Sequence, residues 1–202
     1  MQDLLEQTLT ISQRGGPVMW PLLALSLVSV TLSTERALFW LVVHRPGRSK
    51  WVGDACRALA SGDSTLAKSI ASRDSSPYAG ALSAAADRSA HAGLAIELSE
   101  EVRPTFERFA ASLATIIAAA PLLGILGTVL GVIRAFNLLG VNEVADIGAV
   151  AGGIAQALIT TAFGLIVALM TLFPAMLFRA QADRAIGNIE RIAAARGGSG
   201  NA

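Results

Sequence analysis

The chain has 202 residues, of which 53% are hydrophobic and only 15% charged, and its mean hydropathy is +0.55. That composition belongs to the membrane class. A net charge of +1 with scattered basic residues excludes a nucleic-acid footprint, and a single cysteine, Cys56, excludes an internal disulfide or a cysteine metal set.

Residues 1–17 read as an amphipathic segment ahead of the first apolar stretch. Its first ten residues hold Asp3 and Glu6 and no Lys or Arg. A secretory signal begins positive, so the first apolar stretch, 18–43, is expected to be retained as a membrane span. Glu35 and Arg36 lie near its inner end and read as an interfacial charge pair. His44, beside Arg45, reads as a boundary anchor.

Residues 44–108 are polar and carry nine Lys or Arg. They are predicted to form a helical domain, with Ala-rich amphipathic helices around 51–60, 63–72 and 77–101. Gly62 followed by Asp63 has the form of a helix stop and an N-cap. Ser75, Ser76 and Pro77 mark a second break, and Pro104 predicts a kink or a third. Cys56 reads as a small buried side chain, and His91 as an ordinary polar position. Glu97, Glu100, Glu101 and Arg103 read as a solvated helix face.

Two further spans follow, at 109–139 and 147–178, joined by a short turn at 140–146 and closed by a tail at 179–202. At 1.5 Å per residue these helices measure about 46 to 48 Å, more than the roughly 30 Å hydrocarbon core. Extension beyond the membrane is expected, with Phe106, Glu107 and Arg108 continuing the second helix and Arg179 to Arg191 the third. The tail holds four basic residues and the turn none, so the polar domain and the tail are expected to be cytoplasmic, with the N-terminus and the turn outside. The last residues, 197–202, read as a disordered end. The expected fold is all-α: a three-span helical membrane protein whose long second and third helices extend into a helical cytoplasmic domain. No β pattern, internal repeat, phosphate loop or nucleophile with an aligned base is visible, so neither an enzyme nor a cofactor is expected.

The second and third spans are lined with small residues. Pro121, Gly124, Thr128 and Gly131 share one face of the second, with Gly127 completing a GxxxG pair. In the third, Gly153, Ala157, Thr160 and Gly164 form a matching stripe flanked by Gln156 and Thr161. Small residues let membrane helices approach closely, so Pro121, Gly124, Gly127, Gly131, Gly153, Ala157 and Gly164 read as packing positions. The hydroxyls allow two readings: a bond to the backbone carbonyl one turn back, or a polar track facing a cavity between subunits. Arg134 is the one titratable residue in either span, and reads as an interfacial charge that snorkels outward to pair with Glu143 or Asp146.

The run from Ala120 through Pro121, Leu122, Leu123, Gly124, Ile125, Leu126, Gly127, Thr128, Val129 and Leu130 to Gly131, followed by Gly153 to Leu165, resembles the MotA/TolQ/ExbB proton-channel family, with ExbB and TolQ the nearest type. Gly15 to Leu22, Glu35-Arg36, Ala60 to Asp63 and Ser76-Pro77 extend the likeness over nearly the whole chain. The resemblance implies a bacterial inner-membrane homopentamer. It would enclose the helices of a single-span ExbD/TolR-like partner bearing a membrane aspartate, and work with a TonB/TolA-like energy transducer. It further implies that Thr128 and Thr161 line the inner pore, with Gln156 and Thr160 along the proton path.

Two positions depart from the family pattern: Gln156 stands where Glu is usual, and Met170 where Pro is usual, with Pro174 one turn later. A glutamine avoids the roughly 2.5 to 3.5 kcal/mol of a buried charge and removes a proton site. Any carboxylate for conduction must then come from the partner. The competing expectations are a non-conducting scaffold and a small transporter, the latter disfavoured by the lack of inverted repeats or interrupted helices.

Overall fold

Seven α-helices account for the regular structure among the described residues, 16–91, 93–141 and 147–197 of a computed structural model. They are α1 (Met19–Val43), α2 (Arg48–Ala60), α3 (Ser64–Ala71), α4 (Pro77–Asp87), α5 (Leu94–Phe106), α6 (Ala110–Val141) and α7 (Ile147–Gly197). Three are long and apolar enough to cross a membrane, over Met19–Val43, Ala110–Asn137 and Val150–Gly197. The fold is all-α with three membrane-spanning helices, as expected. Most of the segment 1–17, the acidic residues Glu143 and Asp146, and positions 198–202 lie outside the described residues.

The chain divides into two compact units, Met1–Thr34 with Ala111–Ala175, and Glu35–Ala110 with Met176–Ala202. In the first, Val18 and Leu22 of α1 pack with Ile116 and Ala120 of α6 and Val167 and Ala168 of α7. Large apolar side chains point the other way: Leu27, Leu122, Leu158, Met170 and Phe173 are 60–71% exposed. Such faces suit lipid or other membrane helices, because a water-facing surface of this size is rare.

The second unit has a core of a different kind. Alanines from α2, α3, α4 and α7, with Leu59, Leu82, Leu98, Ile189 and Ile192, surround an aromatic cluster in which Trp40 stacks on Phe106 at 5.7 Å and Tyr78 meets Phe106 at 5.7 Å. The local signals act as read from sequence. Gly62 ends α2 with φ +74, a left-handed value that glycine tolerates without strain. Asp63 Oδ1 then accepts the Leu66 N–H at 2.9 Å, capping α3. Pro77 opens α4 after an extended Ser76. Arg48 donates to the Val43 carbonyl at 3.0 Å and pairs with Asp74, with its guanidinium 4.9 Å from the Tyr78 ring.

Burial pushes the Asp74 carboxyl up, but hydrogen bonds from Arg48 and Ser76 outweigh it and hold its pKa below the ordinary value. Burial also raises the Tyr78 phenol, against a hydrogen bond from Asn188. Cys56 is half-buried against the same core, and its thiol is pushed up by desolvation. An exposed network joins Arg88 to Glu97 and Glu101, and Arg103 to Glu100 and Glu107.

Three sequence expectations are corrected. The stretch 77–101 is two helices, because Arg88 leaves α4 in an extended conformation and His91 Nδ1 takes up the Gly93 N–H at 3.2 Å before α5 begins. Pro104 does not break its helix, but lies inside α5. The break falls at 107–109, so Phe106, Glu107 and Arg108 do not extend the second span. Phe109 there adopts φ +66, unusual for a bulky residue, with the guanidinium groups of Arg108 and Arg36 at 4.7 and 5.5 Å from its ring. The third helix does run on past 178, unbroken to Gly197.

Candidate functional site

Glycines decide how closely α6 and α7 approach. A Cβ placed on Gly124 would stand 3.0 Å from Thr161 Cα, one on Gly131 2.6 Å from Ala157 Cβ, and one on Gly164 2.5 Å from the Ala120 carbonyl oxygen. At Gly127 it would collide with Thr160, whose Cβ is 2.8 Å away. Gly153 faces Ala135 across the same seam, and Ala157 is fully buried in it. Pro121 is half-buried inside α6. Between membrane helices, where lipid is as apolar as leucine, this contact supplies the attraction that water supplies elsewhere.

The hydroxyls in the seam differ in what they do. Thr160 is 1% exposed and donates back to the Ala157 carbonyl at 2.7 Å, so within this chain it fills the seam opposite Gly127. Thr128 and Thr161 are half-buried and in direct hydroxyl–hydroxyl contact. Thr161 Oγ1 donates to the Gly124 carbonyl at 2.9 Å, and Thr128 Oγ1 lies 3.2 Å from the same oxygen and 3.4 Å from the Ala157 carbonyl. Thr128 thus has the carbonyl one turn back, as the first reading expects, together with the Thr161 hydroxyl across the seam of the same chain.

Gln156 lines an open cavity of about 360 Å³ with Gly152, Ala155 and Ile159. Its amide does not touch the threonine pair. Gln156 Nε2 instead lies 3.2 Å from where a Cβ on Gly16 would stand, and Arg134 Nη1 lies 3.5 Å from that point. Arg134 is exposed. The acids proposed as its partners, Glu143 and Asp146, fall outside the described residues.

Glu35 and Arg36 are joined within the second unit. Arg36 Nε and Nη2 donate to the two Glu35 carboxylate oxygens at 2.7 and 3.0 Å, and Nη1 donates to the Thr105 carbonyl at 3.1 Å. Arg36 is 2% exposed, with its guanidinium 4.4 Å from the Phe39 ring centre. Every face of that cation is occupied, which suits a structural role.

The sequence reading missed Ser29. It is buried in α1 and bonds Thr171 at 2.6 Å, while Thr171 donates to the Val167 carbonyl at 2.7 Å, so Ser29 is the donor of the pair. The signal that could have found it was the spacing of Ser26, Ser29 and Ser33 on one face of the first span.

The sequence profile described as the MotA/TolQ/ExbB proton channel family matches residues 68–191, which include this whole seam. The chain belongs to the MotA/TolQ/ExbB family. It is similar to biopolymer transport protein ExbB-like 3 of Synechocystis, 36% identical over 82% of this chain and 81% of the relative. ExbB-like 1 of the same organism is 38% identical over 79% of this chain and 65% of its own length. The biopolymer transport protein exbB1 of Vibrio cholerae is 30% identical over 92% of this chain and 85% of that protein. Membership makes the chain a membrane subunit of a proton-driven system. The hydroxyl pair and Gln156 are polar groups in a largely apolar seam.

Proposed function

We propose that this chain is the pentamer-forming subunit of an inner-membrane proton-driven motor of the ExbB/TolQ type. It couples proton flow to mechanical work on a periplasmic or outer-membrane partner. Five copies surround the membrane helices of an ExbD/TolR-like single-span protein, and a TonB/TolA-like transducer carries the work onward. The N-terminus is periplasmic and the C-terminus cytoplasmic, following the concentration of basic residues in 44–108 and the tail.

The observation that carries this reading is the Thr128–Thr161 pair, two hydroxyls held together over the Gly124 carbonyl in the seam of two spans. Hydroxyls both donate and accept, so the pair is suited to relay a hydrogen bond to a passing carboxylic acid or water. Thr128, Thr161 and Gln156 line the proton path in this proposal. Thr160 stands behind them as the residue that holds their helices together. Apart from Arg134, α6 and the apolar part of α7 hold no titratable side chain, and arginine keeps its proton. The proton carrier is therefore a carboxylate of the partner.

The test is purification from detergent with the partner, native mass measurement and reconstitution into vesicles with a pH gradient. Five copies per assembly, a co-purifying single-span protein with an acidic residue in its helix, and proton uptake are expected. An assembly without a partner or proton uptake would leave a non-conducting scaffold, the alternative that the glutamine at 156 leaves open, and would sink the motor.

A further inference from the structure

The 25 residues of α1 measure about 38 Å at 1.5 Å per residue, against a hydrocarbon core of roughly 30 Å. Its last turns therefore reach headgroup depth. There Trp40 and Val43 are buried in the core of the second unit, while Leu38, Leu41 and Val42 are 59, 72 and 51% exposed. Spacings of three, four and seven residues put Leu38, Leu41, Val42 and Arg45 on one helix face. The His44 N–H, donating to the Trp40 carbonyl at 2.9 Å, carries the helical path up to Arg45. An exposed apolar strip thus ends in a cation.

A tight turn follows. The Arg48 N–H donates to the Arg45 carbonyl at 3.2 Å, Gly47 takes φ +95, and α2 begins with Lys50 in its first turn. Arg45 and Lys50 are exposed, and neither has an ion pair among the described residues. All four acids between 35 and 74 are engaged elsewhere: Glu35 with Arg36, Asp54 with Arg57, Asp74 with Arg48, and Asp63 with the Leu66 N–H. Arg48, held by the Val43 carbonyl and Asp74, fixes the bend. Nothing stands within 4 Å of the Cβ position of Gly47, so the corner is open to approach.

We propose that the α1–α2 corner is a binding surface for an anionic phospholipid, with an acyl chain along Leu38, Leu41 and Val42 and the phosphate at Arg45 and Lys50. This does not depend on the motor reading. Charge complementarity selects the occupant. Two unpaired cations gain most from a headgroup of net negative charge, such as phosphatidylglycerol, because a zwitterionic headgroup brings its own cation to the phosphate. A soluble phosphate would meet the cations and leave the apolar strip bare. Each basic side chain near an anionic surface strengthens attachment about fivefold, so the pair ties this corner to the headgroup layer.

The experiment is native mass spectrometry of the full-length chain, with whatever co-purifies, titrated in detergent with dioleoyl phosphatidylglycerol or dioleoyl phosphatidylcholine. Wild type is expected to prefer the anionic lipid. Arg45→Gln with Lys50→Gln should weaken phosphatidylglycerol about 25-fold and leave phosphatidylcholine unchanged, and Arg45→Lys should retain the preference. Arg57→Gln with Lys68→Gln removes the same charge from exposed pairs of the same unit and should change binding less than threefold. Equal weakening in that control means diffuse charge and overturns the site, as does a wild type without lipid preference. Displacement of the lipid by glycerol phosphate at equal concentration would make it a soluble-phosphate site. If the Arg45/Lys50 variant instead loses copies from the assembly with its lipid affinity unmoved, the face belongs to a second copy of the chain and the lipid proposal falls.

Discussion

Thr128 and Thr161 meet hydroxyl to hydroxyl across the seam of α6 and α7, and both reach the carbonyl of Gly124. Each can lose its hydroxyl without opening a void if the replacement keeps the shape. Thr128→Val and Thr161→Val are therefore expected to preserve assembly while impairing proton-dependent output, and Thr161→Ala to do the same with a small added packing loss. One interhelical hydroxyl bond in a membrane is worth about 0.6 kcal/mol on average, too little to unfold the unit. Vesicle proton uptake and detergent size-exclusion, measured on the same preparations, separate the two effects. Normal output from the double variant at normal expression would remove the pair from the proton path.

Gly164 admits no side chain. Its absent Cβ would stand 2.5 Å from the Ala120 carbonyl and 3.1 Å from Gly124 Cα, both backbone atoms that cannot swing aside. Gly164→Ala is expected to push α7 from α6 and destabilise the chain by about 1 to 3 kcal/mol, the usual range for overpacking. Gly152→Ala is the control, since nothing lies within 4 Å of its Cβ position. Detergent-titrated unfolding followed by circular dichroism should show a lower midpoint for the first variant only, and equal midpoints would contradict the packing account.

The three spans were legible because an uncharged run as long as 147–178 has few alternatives in a folded chain. Caps were legible too, since Gly62, Asp63 and Pro77 act through local backbone chemistry. The break at 107–109 was not. It depends on Phe109 lying among the guanidinium groups of Arg36 and Arg108, and Arg36 comes from a helix far away in sequence. The same limit separates Thr160 from Thr161. Adjacent and chemically identical, they point their side chains differently: Thr160 fills the space over Gly127, while Thr161 donates to the Gly124 carbonyl.

Ser29 and Thr171 form a buried hydroxyl pair between α1 and α7 at 2.6 Å. Thr171 already donates to Val167, so Ser29→Ala removes a single bond and leaves Thr171 satisfied. Thr171→Val leaves the Ser29 hydroxyl without its acceptor. Ser29→Ala is expected to cost about 0.6 to 1.7 kcal/mol, the span of measured membrane hydroxyl bonds, and Thr171→Val somewhat more. The double variant should cost less than the two together, because the second change removes the group that the first one stranded. Strict additivity in a detergent unfolding cycle would mean that the two hydroxyls do not interact.

Acid should act on the second unit through Asp74. Its carboxylate takes the Ser76 N–H at 3.0 Å and the Ser76 hydroxyl at 2.9 Å, and pairs with Arg48, whose side chain is 12% exposed. Burial alone would raise its pKa, yet those bonds win and lower it from 3.8. A carboxyl with a depressed folded pKa contributes stability that is fully present above its unfolded value and disappears as pH falls through the folded one. Wild-type chain in detergent should therefore hold its melting temperature from pH 7 down to about pH 4 as far as this group is concerned, and lose its contribution below. Asp74→Asn strands the Arg48 charge in a largely buried setting and is expected to cost about 3 kcal/mol at neutral pH. That gap should narrow below about pH 4, as protonation deprives the wild type of the same carboxylate. Melting curves that stay parallel from pH 7 to pH 3 would show that Asp74 is not the group through which acid acts.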